Sequence, residues 1–367
     1  MSLKICTLLS VIAMPFICAG QEDNQNGYPT GAEFLNVNTD VRSAGMGNLR
    51  TTPVPDANSI FSNPARIAYP TQALLHDVAI TYNPLVSSIT NDIKLLSLAT
   101  NHYVAGGEHS SSYLSGFLQY LTYGDVFFTD EQGNESDYFR PFEMAFGGSF
   151  TKRYGPYFSL GLNAKGIYSR LGANRVMDDG SNGFAFAVDV GAYSELPIDG
   201  YDNYIHLGLS ILNIGTPLGY GGGSQKSLLP QVLRLGIGYR NVFDRDNSYF
   251  FVGVDWNKPL IPYGHDPAID GASIFDALAK SFGEISGSGI SVGAEVVFMD
   301  RFGIRAGYSK EPNHFNRLNY FTVGLSLGSF FGYNRLGVDA AYQIPTGQEA
   351  IGTGSLLKIG LAFQVFE

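Results

Sequence analysis

The chain has 367 residues, with Gly 45, Phe 26 and Tyr 22 but only 15% charged side chains, a balance that favours strands over helices. A mean hydropathy of +0.01, with no run of about 18 apolar residues after the first 20, excludes a bundle of membrane-spanning helices. The formal charge of −10 gives no electrostatic reason to bind nucleic acid.

In chain order, residues 1–20 read as a secretory signal peptide. Lys4 supplies the positive end, Ile5 to Ile17 the apolar stretch, and Cys18-Ala19-Gly20 a small-x-small cleavage site. Lipid attachment at Cys18 needs a small residue before it, and Ile17 is not small. Cleavage removes Lys4, taking the charge from −10 to −11, and also removes Cys6 and Cys18, the 2 cysteines of the chain. A chain without thiols has no disulfides, thiolate metal sites or cysteine nucleophiles.

Residues 21–73 do not alternate. Pro53, Pro55, Asn63-Pro64 and Pro70 break regular structure, leaving short turns such as Asp56 to Phe61. The segment is either a periplasmic tail or a plug folded into a lumen. Phe34, Leu35, Val37, Ile60, Phe61 and Ile67 need a dry environment, which favours the plug.

From residue 74 to residue 367 the dominant signal is period-two alternation in segments of about ten residues. Leu357, Ile359, Leu361, Phe363 and Val365 alternate with Lys358, Gly360, Ala362 and Gln364. The same pattern sets Phe158, Leu160 and Leu162 against Asn163 and Lys165, and Phe184, Phe186, Val188 and Val190 against Asp189. Strands are expected to start near residues 74, 93, 113, 141, 157, 184, 203, 231, 249, 289, 301, 319, 335 and 356. About fourteen strands, an even number, suit an all-β, antiparallel transmembrane barrel, with outer-membrane lipid against the apolar faces. A one-residue slip would place Arg or Lys in lipid, at about 2–4 kcal/mol each at the midplane, so register is strongly specified. A soluble β-sandwich has too small a core for so many apolar faces.

The connections alternate in length. Short links fall near Gly106, Arg153, Asp199, Asp244, Asp300 and Gly332, and long ones near 83–92, 124–140, 170–183, 213–230, 258–288, 310–318 and 345–355. Outer-membrane barrels keep short turns on the periplasmic side, which puts both termini there. The longest link contains an expected helix, Ile274 to Phe282.

No catalytic, cofactor or metal site can be assembled, and the chain reads as a non-enzyme. Gly289-Ile290-Ser291-Val292-Gly293 and Gly324-Leu325-Ser326-Leu327-Gly328 match a nucleophile elbow in letters but lie inside alternating strands. Gly221 to Ser227 lacks the glycine that a phosphate loop needs before lysine. The six histidines show no pair at metal-ligand spacing along the chain. Asp178-Asp179 and Asp244 to Asn247 read as solvated turns. Glu143, Lys165, Asp189, Arg234, Asp255, Glu295, Arg305, Asp339 and Lys358 fall on the lumen face, where they line a polar interior or pair with each other and with the plug. Tyr82, Tyr123, Tyr157, Tyr168, Trp256 and Tyr308 stand near strand ends as an interfacial girdle.

Several stretches resemble the PorV (LptO) family of type IX secretion barrels, itself similar to FadL-like barrels and to PorQ-like members. They are Phe34-Leu35, Asp40 to Gly47, Pro55 to Ser59, Asn63-Pro64-Ala65, Gly124 to Asn134, Val254 to Pro262, Phe302 to Tyr308 and Tyr342 to Gly347. The chain departs from the family's usual pattern at Ser62 and at Asn48-Leu49-Arg50. The resemblance implies a fourteen-stranded barrel with an N-terminal plug whose motif includes Asp56, Asn58, Asn63 and Pro64. It also implies secretion-system proteins as partners, with cargo bearing a C-terminal signal domain passed from translocon to surface attachment machinery. The rival expectation is a FadL-like transporter of hydrophobic small molecules, which requires a continuous apolar pocket between plug and wall.

Overall fold

The computed structural model describes residues 30–70, 74–85, 92–107, 109–129, 135–172, 182–198, 202–220, 226–244, 248–261, 281, 287–311, 319–346 and 356–367. The leader at 1–20, residues 221–225, Asp178-Asp179 and the turn at 245–247 lie outside them. So does the expected helix over 274–282, apart from Ser281, which is helical.

Fourteen strands form the wall: β1 Leu74–Pro84, β2 Lys94–Ala105, β3 Ser112–Thr122, β4 Phe142–Tyr154, β5 Phe158–Arg170, β6 Asn182–Pro197 and β7 Asn203–Gly215, followed by β8 Val232–Asp244, β9 Ser248–Pro259, β10 Gly289–Phe298, β11 Phe302–Lys310, β12 Asn319–Phe331, β13 Asn334–Thr346 and β14 Leu356–Phe366. Each strand pairs antiparallel with its neighbours in sequence, and β1 pairs with β14 through Val78↔Phe363 and Ile80↔Leu361, which closes the barrel. Closure leaves no unpaired edge, as a lipid-embedded sheet requires. Every strand begins within two residues of its expected start.

The outer surface is apolar: Ile80, Leu114, Leu162, Phe186, Ile237, Ile304, Leu325 and Leu361 are all exposed, Phe186 to 62%. Their neighbours in sequence, Asn163, Ala187, Arg305 and Gly360 among them, turn inward. Exposing this much apolar surface is stable only against hydrocarbon. Replacing Leu162 by arginine is therefore expected to destabilise the barrel by about 2–4 kcal/mol, read as a lowered urea midpoint in reconstituted lipid.

Short links carry left-handed residues where the chain reverses: Met299 and Asp300 (φ 54 and 54) between β10 and β11, and Gly332 (φ 62) between β12 and β13. At the opposite end, the link after β3 holds a two-stranded hairpin, Val126–Thr129 with Glu135–Phe139.

Residues 30–70 lie within the ring. The short α-helix Val41–Gly45 contacts β11 to β14, the 3-10 turn Ala57–Phe61 contacts β1 to β3, and the 3-10 turn Pro64–Ala68 contacts β3 to β6. A single segment that touches strands around the whole circumference sits inside the circumference. Asp40 caps the α-helix by accepting from the Ser43 amide at 3.1 Å. Asn63 caps the last turn by accepting from the Ala65 amide at 3.1 Å, with Pro64 in the first turn.

The lumen is not uniformly polar. Tyr113, Phe117 and Leu121 of β3, with Leu95 and Ala99 of β2 and Ile167 of β5, form one apolar cluster with Phe34, Ile60, Ile67 and the partly buried Phe61. Phe61 meets Phe117 edge-on at 5.3 Å between ring centroids. Strand β3 thus has apolar side chains on both faces, with lipid outside and the inner segment inside.

Candidate functional site: charge clusters and a cavity in the lumen

Three groups of buried polar contacts line the lumen; the first two tie the inner segment to the wall, and the third links wall strands to one another. In the first, Glu295 accepts from Arg305 Nε at 2.6 Å and from Arg42 Nη2 at 2.5 Å, while Arg305 Nη1 reaches Asp339 at 2.6 Å. Tyr249 adds its hydroxyl to Glu295 at 3.1 Å and also accepts from Arg42. Two cations and two carboxylates alternate, so each charge is compensated at contact distance.

In the second, Asp255 accepts from the Arg50 amide at 2.6 Å and from the Thr51 amide and hydroxyl, each at 2.7 Å. It thereby holds two backbone amides and one hydroxyl of the inner segment. In the third, Asp189 accepts from Asn163 Nδ2 at 2.8 Å, from the Asn213 amide at 2.7 Å and from Lys165 at 2.9 Å. Asn213 is left-handed (φ 63) at an irregularity in the β6–β7 register, which turns its amide toward that carboxylate.

Lys358 donates to the Asn38 carbonyl at 2.7 Å. Glu143 accepts from Tyr123 at 2.6 Å and from Ser169 at 2.8 Å. Tyr123 therefore faces the lumen and is not part of an outer girdle, because it follows Tyr113, Phe117 and Leu121 on the inner face of the chain. Tyr82 and Tyr157 are exposed, and Tyr308 packs on the exposed Phe321 with ring centroids 5.0 Å apart.

The structure also places Asp56, Asn58, Asn63 and Pro64. The Asp56 amide donates to Ser59 Oγ at 3.2 Å, and burial, followed by repulsion from Asp40, raises the Asp56 carboxyl well above its ordinary range. Asn58 is buried. Asn63 Nδ2 donates to the carbonyls of Ala192 at 3.1 Å and Thr51 at 3.3 Å, while the Pro64 carbonyl accepts from Thr151 at 2.8 Å.

Arg66, unremarked in the sequence, is fully buried and braces the segment from within. It donates to the carbonyls of Pro53 at 2.9 Å, Arg50 at 2.7 Å and Val54 at 3.2 Å, and to Ser62 Oγ at 3.2 Å. Two positions that depart from the family pattern, Arg50 and Ser62, thus serve one guanidinium. The histidines hold another contact that linear spacing hides. His76 and His102 are cross-strand partners on β1 and β2, with their Nδ1 atoms 2.9 Å apart on the outer surface. No group of three or more metal-ligating side chains occurs among the described residues.

At the end of the barrel that carries the long links, a cavity of about 350 Å³ lies between the inner segment and the strand ends. Phe34, Val37, Leu85, Ile93, Leu121 and Leu356 supply apolar walls. Arg50, Arg234, Lys358, Glu33 and Glu311 bring charge to it, and Asn36, Asn38, Asn48, Asn257 and Gln343 bring amides. The surface is a mosaic of charge, amide and hydrocarbon.

Residues 20–266 match the family model described as type IX secretion system protein PorV. No curated protein gives a significant match. Among solved structures, the Pseudomonas putida toluene transporter TodX superposes with a TM-score of 0.51 at 10% identity, covering 89% of this chain and 97% of that one. The Ralstonia pickettii toluene transporter TbuX gives 0.49 at 12% identity, covering 88% and 97%. A Pseudomonas aeruginosa FadL homologue gives 0.45 at 12% identity, covering 93% and 99%. At such identities the likeness to TodX speaks for the barrel fold alone.

Proposed function

Because this chain belongs to the PorV family of type IX secretion outer-membrane barrels, we propose that it binds secreted proteins through their C-terminal signal domains. It receives them from the translocon and passes them to the attachment machinery at the cell surface. The observation that carries this reading is the family match, which spans both the inner segment and the barrel wall as far as the link after β9. The chain works as a binding subunit without catalysis. Both termini lie in the periplasm, the long links face outward, and residues 30–70 keep the pore closed. Edge pairing between a β-rich signal domain and the hairpin Val126–Thr129/Glu135–Phe139 offers one recognition mode.

A FadL-like uptake route for hydrophobic molecules is the rival. It calls for an unbroken apolar pocket beside the inner segment, whereas Arg50, Arg234, Lys358 and Glu311 all face the cavity. A hydrocarbon ligand would dehydrate these charged groups without supplying a counter-charge, which opposes its binding. Affinity purification from a detergent extract of the native organism is expected to bring down translocon subunits and signal-bearing cargo. Recovery of the barrel alone would remove the secretion role.

A further inference from the structure

We infer that the cavity at the long-link end of the lumen receives the C-terminal carboxylate of an extended peptide, an inference that rests on the cargo-binding reading above. Three cations, Arg50, Arg234 and Lys358, line it, each no more than 6% exposed. Two carboxylates stand against them. Glu33 is exposed at the margin, and Glu311 is already engaged by Asn48 Nδ2 at 2.6 Å and Ser309 Oγ at 3.0 Å. On the cavity face itself the three cations meet, among the described residues, only these two carboxylates, with Asp40, Asp189 and Asp255 lying behind them, and an incoming anion offsets part of the cost of burying positive charge there.

Hydrogen-bonding capacity points the same way. Among the described residues, the Nε atoms of Arg234 and Arg50 are buried without a partner, as are both amide atoms of Asn36 and the Oδ1 of Asn257. These orphaned groups include donors and acceptors from both the inner segment and the barrel wall, which suit a peptide backbone with its alternating N–H and C=O. An alkyl chain would leave them all unsatisfied. Phe34, Leu121 and Leu356 provide dry surface for a side chain beside that backbone. The volume, about 350 Å³, is at the lower end of the roughly 300–1,000 Å³ usual for ligand pockets. It suits the last few residues of a chain, not a folded domain. Lys358 sits at the third residue of β14 and Arg234 at the third of β8, so the charge is one turn of the pleat below the rim.

The test uses the full-length barrel in detergent micelles and an N-terminally fluorescent peptide matching about the last ten residues of a signal-bearing cargo. Fluorescence anisotropy is expected to show binding of the free acid and at least ~10-fold weaker binding of the C-terminal amide, the loss of a charge-assisted contact. Arg234→Gln should weaken the acid by a similar factor and leave the amide nearly unchanged. Its folding is checked by heat-modifiable gel mobility, and the acid–amide comparison needs no variant at all. Equal binding of acid and amide would overturn the inference. So would displacement of the peptide by an equimolar amount of dodecanoate, which would assign the cavity to alkyl carboxylates. An intact signal domain that binds regardless of amidation refutes this inference while sparing the cargo role; an intact domain that fails to bind refutes the cargo role itself.

Discussion

Replacing Glu295 by alanine is expected to destabilise the folded barrel by about 3–5 kcal/mol, the cost of stranding buried charge. Glu295 receives Arg42 from the inner segment and Arg305 from β11, at 2.5 Å and 2.6 Å. Asp339 is left facing two cations when Glu295 is removed, and only Arg305 is within its reach at 2.6 Å. Arg42 then keeps Tyr249 as its one polar partner among the contacts described. The loss should appear both as a lower urea midpoint, followed through the single tryptophan, Trp256, and as faster proteolysis of residues 30–70, because Arg42 anchors that segment. Glu295→Gln retains shape and some hydrogen bonding, so its loss should be smaller. A change below about 1 kcal/mol for the alanine variant would class the cluster with solvated surface pairs and detach it from any role in seating the segment.

The architecture was readable because a strand between lipid and lumen must alternate, and the alternation survives in the letters. Leu357 to Val365 shows its outward residues by inspection, and the link lengths separate the two ends of the barrel. Legibility fails where the lumen is itself apolar. In β3 the inward Tyr113, Phe117 and Leu121 match the outward Leu114 and Leu118 in hydropathy, so the letters do not separate the faces, and Tyr123 reads as an outer girdle residue although it bonds Glu143 in the lumen. The charged lumen residues carry their own signal, since an acidic or basic side chain amid a greasy strand has only one acceptable side. Their partners carry none. Arg42 and Glu295 are separated by 253 positions, and His76 and His102 by 26, so only strand register brings them together. The cavity is the extreme case, because its cations come from the inner segment, β8 and β14.

Glycine supplies the last contrast, and with it a second large effect. Gly253, Gly293 and Gly307 are successive cross-strand partners on β9, β10 and β11, and the inner segment runs against them. A Cβ at Gly293 would lie 2.2 Å from the Met46 carbonyl oxygen, and one at Gly307 would lie 2.3 Å from the Gly47 amide nitrogen. Both obstacles are backbone, which no rotamer change relieves, and Gly47 is itself in the left-handed region (φ 66) that favours glycine. Gly293→Ala is therefore expected to cost about 3 kcal/mol, the upper part of the range for overpacking, and to lift residues 45–49 from the wall. Gly116→Ala is the matched control, since its new methyl would meet nothing nearer than Thr100 Oγ1 at 3.6 Å. In planar bilayers the Gly293 variant should conduct ions in discrete steps while the wild type and the Gly116 variant stay silent, with all three retaining heat-modifiable mobility. Silence from the Gly293 variant despite a folded barrel would mean that this stretch of the inner segment does not seal the lumen, leaving closure to the contacts around Asn63 and Arg66.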